Sequence, residues 1–295
     1  MKKRSLSNAF IDKLLSDYKA LTDYVVFDDT LDMEFRGEEV MIYYRGGRLL
    51  SLSETGVLTP LDQNYGESIP LYLNNIEEYI PKAKHLIDVF QVDIKANLGE
   101  KEISQRIVME NNYSPYSNDT DYFIADMEYC QGDGENCQFD LIGLKWPSTP
   151  AARKTLNFKI AVIETKQGIH SLRTSTHNPG LKRHYEDYTA FVNGVDFMSI
   201  ATDMVKIFCQ KCELGLVKMN SRSEPITRNS QFKIDEKPEF IAVLSNYKRK
   251  SNELTSELNS ISADSKISFA TSNYMGYGLF ESSLISLAEI TKDVE

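Results

Sequence analysis

Two short apolar runs with charged residues set inside them constrain this chain most. They are Cys137-Gln138-Phe139-Asp140-Leu141-Ile142-Gly143-Leu144 and Ile160-Ala161-Val162-Ile163-Glu164-Thr165-Lys166. Apolar runs of this length read as strands. Side chains alternate along a strand, so Glu164 and Lys166, two residues apart, project from the same face. If the two strands are neighbours, Asp140 joins them there. Two carboxylates and an ammonium at one spot suit a divalent metal and the hydrolysis of a phosphodiester.

The rest of the chain supplies context for these strands. Its 295 residues hold one large domain, or a core domain with a smaller appendage. Residues 5–24 predict an amphipathic helix, with Phe10, Leu14, Leu15, Tyr18 and Leu21 at helical spacing. Strand-like runs follow at residues 25–27, 31–35, 39–44 and 48–52, with turns at Arg36-Gly37 and Gly46-Gly47. Residues 1–72 are therefore expected to form a helix plus a small antiparallel sheet, with the chemistry carried by residues 73–295.

In that second part, helices are predicted over 74–92 and from Gly99 through Val108. Strands follow over 122–127, 137–144 and 158–166, then helices over 181–192 and 195–214. Two further strands are predicted at 240–244 and 267–270, and residues 221–230 read as a loop.

Helix, three strands, helix, strand, with Asp140 on the second strand and Glu164-Thr165-Lys166 on the third, resembles the PD-(D/E)xK nuclease superfamily. The resemblance covers roughly residues 95–270. It implies an α+β fold with a restriction-endonuclease-like αβββαβ core, a mixed central sheet flanked by helices. Two departures leave the subfamily unidentified. Phe139 precedes Asp140 where the superfamily often has proline. His184, four residues before Tyr188, stands where RecB-type exonucleases carry glutamine.

The resemblance implies a metal-dependent nuclease, an endonuclease acting on DNA ahead of RNA, in restriction, defence or repair. The cofactor would be Mg²⁺ or Mn²⁺, held by Asp140, Glu164, the carbonyl of Thr165 and an acid from the first helix. Glu102 is the choice for that acid, with Glu110 as its competitor. Lys166 would orient the attacking water or stabilise the phosphorane charge. Lys182, His184, Tyr188 and Arg173 are candidates for contacting substrate. Paired cuts in a duplex call for a homodimer. The alternative is a noncatalytic nuclease-like module that binds nucleic acid or protein.

Charge and cysteine content narrow the remaining classes. A formal charge of −10 argues against nonspecific coating of nucleic acid. The balance is local, however. From Lys145 to His184 the bases are Lys145, Arg153, Lys154, Lys159, Lys166, Arg173, Lys182 and Arg183, against Glu164 as the sole acid. That tract reads either as a surface that meets a phosphate backbone or as a solvated basic loop. Four cysteines are too few for a disulfide scaffold. Cys209-Gln210-Lys211-Cys212 with Cys130 and Cys137 offers a weaker zinc reading. No apolar run spans a bilayer and no apolar segment follows Met1-Lys2-Lys3-Arg4, so a cytoplasmic protein is expected.

Overall fold

The computed structural model describes residues 3–93, 99–130, 138–168, 170–172, 180–194, 196–219, 225–272 and 276–294. It begins with two helices where one was expected, α1 (Asn8–Leu15) and α2 (Lys19–Phe27). Ser7 caps the first, its hydroxyl accepting from the Phe10 N–H at 3.0 Å. Val25-Val26-Phe27 belongs to α2 and not to a strand. Burial of Leu21 and Val25, four residues apart, keeps the helical period through that β-branched stretch.

Four antiparallel strands follow in sequential order: β1 (Leu31–Phe35), β2 (Glu39–Tyr44), β3 (Gly47–Ser53) and β4 (Leu58–Thr59). Tyr44 pairs with Gly47, so the turn between β2 and β3 is Arg45-Gly46, one residue earlier than expected. Both turn residues have positive φ, 49° and 77°, as a two-residue hairpin of this hand requires. Gly46 is needed on a second count. A Cβ there would sit 2.8 Å from the backbone of Lys101 and Glu102. Helix α3 (Ile76–Asp93) packs on β3 of this small sheet.

The large sheet begins after α4 (Glu100–Val108) and the π-helical turn Met109–Tyr113. It contains β5 (Tyr122–Cys130), β6 (Gln138–Lys145), β7 (Asn157–Gln167), β8 (Lys233–Ser245), β9 (Ile267–Ser272) and β10 (Ile285–Ser286), in spatial order β10-β9-β8-β7-β6-β5. The first three pair antiparallel, β7, β8 and β9 are parallel, and β10 closes the edge antiparallel. The crossover between β7 and β8 carries α5 (Leu181–Val192) and α6 (Phe197–Glu213). Strand β7 is buried along almost its whole length, which explains its continuous apolar run. Two further helices, α7 (Asn252–Ser260) and α8 (Leu287–Val294), lie outside the expected elements; α7 is polar, whereas α8 buries Leu287, Ile290 and Val294 at helical spacing.

The fold is thus α+β with a mixed central sheet. Phe123, Trp146, Phe158 and Phe208 pack ring against ring at centroid separations of 5.3–6.3 Å beneath it. Buried residues of the N-terminal helices and small sheet continue the same core. Charged groups are also buried between the sheets. Lys211 on α6 donates to Glu34 on β1 at 2.7 Å, and Arg36 donates to Asp126 on β5 at 2.8 Å. Among the described residues, no helix is long and apolar enough to cross a membrane.

Candidate functional site

The strand registers bring the acids together. In the β6–β7 ladder Leu141 faces Ile163, so the next position sets Asp140 across from Glu164. In the β5–β6 ladder Met127 faces Leu141 and Tyr129 faces Phe139, so Glu128 falls across from Asp140. Glu128, Asp140 and Glu164 therefore occupy one row across three adjacent strands. All three line a cleft of about 430 Å³, together with Glu100, Lys101, Lys166 and His184.

Each group is fixed by identifiable partners. Asp140 Oδ2 accepts from the Thr165 N–H at 2.7 Å and from its hydroxyl at 2.6 Å. Thr165 Oγ1 also meets Ser104 Oγ of α4 at 3.3 Å. Lys166 Nζ donates to Glu164 Oε1 at 2.9 Å, and His184 Nε2 of α5 stands 3.1 Å from the same oxygen. The other oxygen, Glu164 Oε2, is buried and has no hydrogen-bond partner. Such a group is costly to bury, which makes it an atom suited to a ligand.

The electrostatics follow from this crowding. Burial pushes the Glu164 carboxyl well above its ordinary value and Asp140 adds to the effect, while Lys166 opposes it. Lys166 is held above its ordinary value: burial pulls it down, but Glu164, Glu100 and Asp140 outweigh that. Glu100 is raised, by burial first, with Lys166 opposing and Asp140 adding. Its Oε1 is also buried without a partner.

The first-helix acid facing the cleft is Glu100, not Glu102. Two residues along a helix rotate a side chain by about 200°, so the two point apart. Ser104, four residues after Glu100 and on its face, touches Thr165 in β7. Glu102 instead takes Arg45 Nε at 3.2 Å and Arg106 Nη2 at 2.9 Å, tying α4 to the hairpin at Gly46. Its work is to seat the helix that carries Glu100. Glu110, in the π-helical turn, does not line the cleft either.

The expected substrate contacts divide. His184 lines the cleft, but Lys182 is exposed outside its lining. Tyr188 is buried against Phe240 at a centroid separation of 5.1 Å and serves the core. Arg173 lies outside the described residues. The basic tract is largely engaged elsewhere. Lys145 and Lys159 pair with Glu239, and Arg153 stacks over Phe123 and Trp146.

Cys209 is buried on α6, with its thiol pushed up to about 12 by burial and then by Glu213, which disfavours a thiolate ligand. Cys137 lies outside the described residues. Among the described residues, no three His, Cys, Asp or Glu side chains form a ready-made metal cage.

Sequence reasoning missed Glu100, Lys101 and Glu128. Only the 3.6-residue period of α4, read together with the Ser104 contact, separates Glu100 from Glu102. Comparison with protein-family models, curated proteins and solved structures found no match.

Proposed function

We propose that this protein is a metal-dependent nuclease of the PD-(D/E)xK type, with a restriction-endonuclease-like core formed by α4, β5–β7, α5 and β8. The observation that carries this reading is the buried, partnerless Glu164 Oε2, in a cleft that also presents Asp140, Glu100 and Lys166. An all-oxygen acidic donor set suits a hard cation such as Mg²⁺ or Mn²⁺. Glu164, Asp140 and Glu100 would hold it, and the carbonyl of Thr165 lies on the same strand segment.

When bound, such an ion would supply charge neutralisation at the phosphate and a water activated for attack. The protein's own groups account for the rest. Thr165 fixes Asp140 through two hydrogen bonds to one oxygen, leaving the carboxylate little freedom. Lys166 and His184 share Glu164 Oε1 and so orient the opposite oxygen. The Lys166 ammonium would be the protein's own positive charge beside an attacked phosphate in this cleft. We further propose DNA ahead of RNA as substrate, endonucleolytic cutting by a homodimer, and a cytoplasmic role in restriction, defence or repair.

One observation favours a second reading, a noncatalytic nuclease-like module: the polar groups of the cleft largely satisfy one another. Two experiments test the pair of readings. The first is cleavage of single-stranded, duplex and circular DNA and of RNA, with and without Mg²⁺. The second is calorimetric titration with Mn²⁺. Cleavage lost in Asp140→Ala and Glu164→Ala supports the enzyme. Undiminished cutting by those variants sinks it, and absence of both metal binding and cutting favours the module.

A further inference from the structure

Glu128, in the acidic row, has φ 55°, a left-handed conformation that a side-chain-bearing residue rarely adopts. Its backbone is held from the N-terminal region. Arg36 Nη2 donates to the Met127 carbonyl at 2.7 Å and Arg4 Nη2 to the Glu128 carbonyl at 3.1 Å. Both guanidiniums also meet Asp126. In an extended strand successive carbonyls point to opposite edges. Here two consecutive carbonyls are taken by arginines that converge on one carboxylate, a pattern that goes with the left-handed residue between them.

Arg4 is itself anchored. Its N–H donates to Asp203 at 2.7 Å, the Ser5 hydroxyl donates to the same carboxylate, and the Leu6 backbone exchanges hydrogen bonds with Gln210. Its guanidinium lies 5.2 Å over the ring of Tyr129. At the mouth of the cleft the Glu128 carboxylate pairs with Lys101 Nζ at 2.7 Å.

We propose that Arg4 is a positioning residue for the cleft. By holding the Glu128 carbonyl, it keeps residue 128 left-handed and commits its carboxylate to Lys101, out of the row shared with Asp140 and Glu164. Without that hold residue 128 returns to the extended form. Its carboxylate then stands beside Asp140, as directly opposed residues of an antiparallel pair do, and repels an incoming phosphate.

The consequence for substrate rests on the nuclease reading; the consequence for Lys101 does not. In Arg4→Ala, acylation of the Lys101 amine, followed by mass spectrometry, is expected to rise about threefold, to the rate in Glu128→Gln. KM for a duplex oligonucleotide is expected to rise about tenfold with kcat nearly unchanged. Glycine adopts positive φ freely and carries no carboxylate. Arg4→Ala/Glu128→Gly should therefore restore KM while its melting temperature stays as low as that of Arg4→Ala. A purely structural Arg4 would leave KM and melting temperature moving together.

Arg4→Lys keeps a charge on Asp126 and loses the fork, so it should reproduce both changes if Arg4→Ala does not fold. Unchanged Lys101 reactivity in the Arg4 variants, or no rescue of KM by the glycine, overturns the proposal. If the wild-type protein neither binds Mn²⁺ nor cuts, the nuclease reading falls and the Lys101 rates alone decide the role of Arg4.

Discussion

Lys166 Nζ donates to Glu164 Oε1 across 2.9 Å, and both side chains are shut off from solvent. A buried ion pair of this kind offsets its own desolvation only with good geometry and further hydrogen bonds. Here His184 supplies one more contact, and one carboxylate oxygen is left without a partner. This arrangement offers little to stability alone and is what the proposed metal site would use.

Replacing Lys166 by methionine keeps most of the volume and removes the charge. Metal-dependent cleavage should fall by about 10²–10³-fold in kcat, the usual loss for one group that stabilises transition-state charge. Steady-state kinetics on a defined duplex checks this, and an unchanged kcat would remove Lys166 from the mechanism. Glu164→Gln should abolish Mn²⁺ binding in calorimetry while the circular dichroism spectrum stays that of the parent.

If Glu164 holds the proposed ion, its raised carboxyl would make metal binding depend on pH. A carboxyl raised in the folded state stabilises that state fully below its unfolded value, near 4.5, and loses the contribution as pH rises through the folded value. Metal binds the ionised form, so affinity should climb with pH, by up to about tenfold per unit, and level off above the folded value. Calorimetry in buffers of different ionisation enthalpy should show proton release on binding. Glu164→Gln should show none.

Glu100 and Glu102 can be told apart by which property each variant loses. Glu100→Gln is expected to weaken Mn²⁺ binding at least about tenfold with little change in melting temperature. Glu102→Gln should do the reverse, because it loosens α4 from Arg45 and Arg106. Gly46→Ala, at φ 77° and against the α4 backbone, should cost at least about 1–2 kcal/mol in urea unfolding. If Glu102→Gln proves the metal-binding defect instead, the assignment of the helix face is wrong.

Lys211 and Glu34 form the buried pair between the two sheets. Lys211→Met leaves Glu34, Asp32 and Asp126 together without it, and unfolding free energy should drop by about 3–5 kcal/mol. Burial raises the Glu34 carboxyl well above its ordinary value; Lys211 opposes this and Asp32 adds to it. A raised carboxyl loses its stabilising contribution as pH rises. The variant's deficit should therefore shrink in mild acid, where Glu34 takes up a proton. Adding Glu34→Gln should recover most of the loss at neutral pH.

The sequence by itself determined the elements whose signal is local. The apolar runs around Asp140 and Glu164 are strands because β-branched and aliphatic side chains there must be buried on both faces. The two-residue spacing put Glu164 and Lys166 on one face, and the helical period of residues 181–192 was plain enough to place His184 on α5. Local signal failed where burial came from distant partners. Val25-Val26-Phe27 looks like a strand by composition but completes α2; α7 is too polar to announce itself, and α8 is amphipathic but only 8 residues long.

Only the tertiary structure decided which acids share the site. The strand registers set position 140 across from positions 164 and 128, and the left-handed backbone at Glu128 then commits its carboxylate to Lys101. Glu100 replaced Glu102 because the hairpin turn at Gly46 and the contact between Ser104 and Thr165 fix the rotation of α4. Propensity and periodicity act over a few residues. The direction of one carboxylate depends on what packs against its element from elsewhere in the chain.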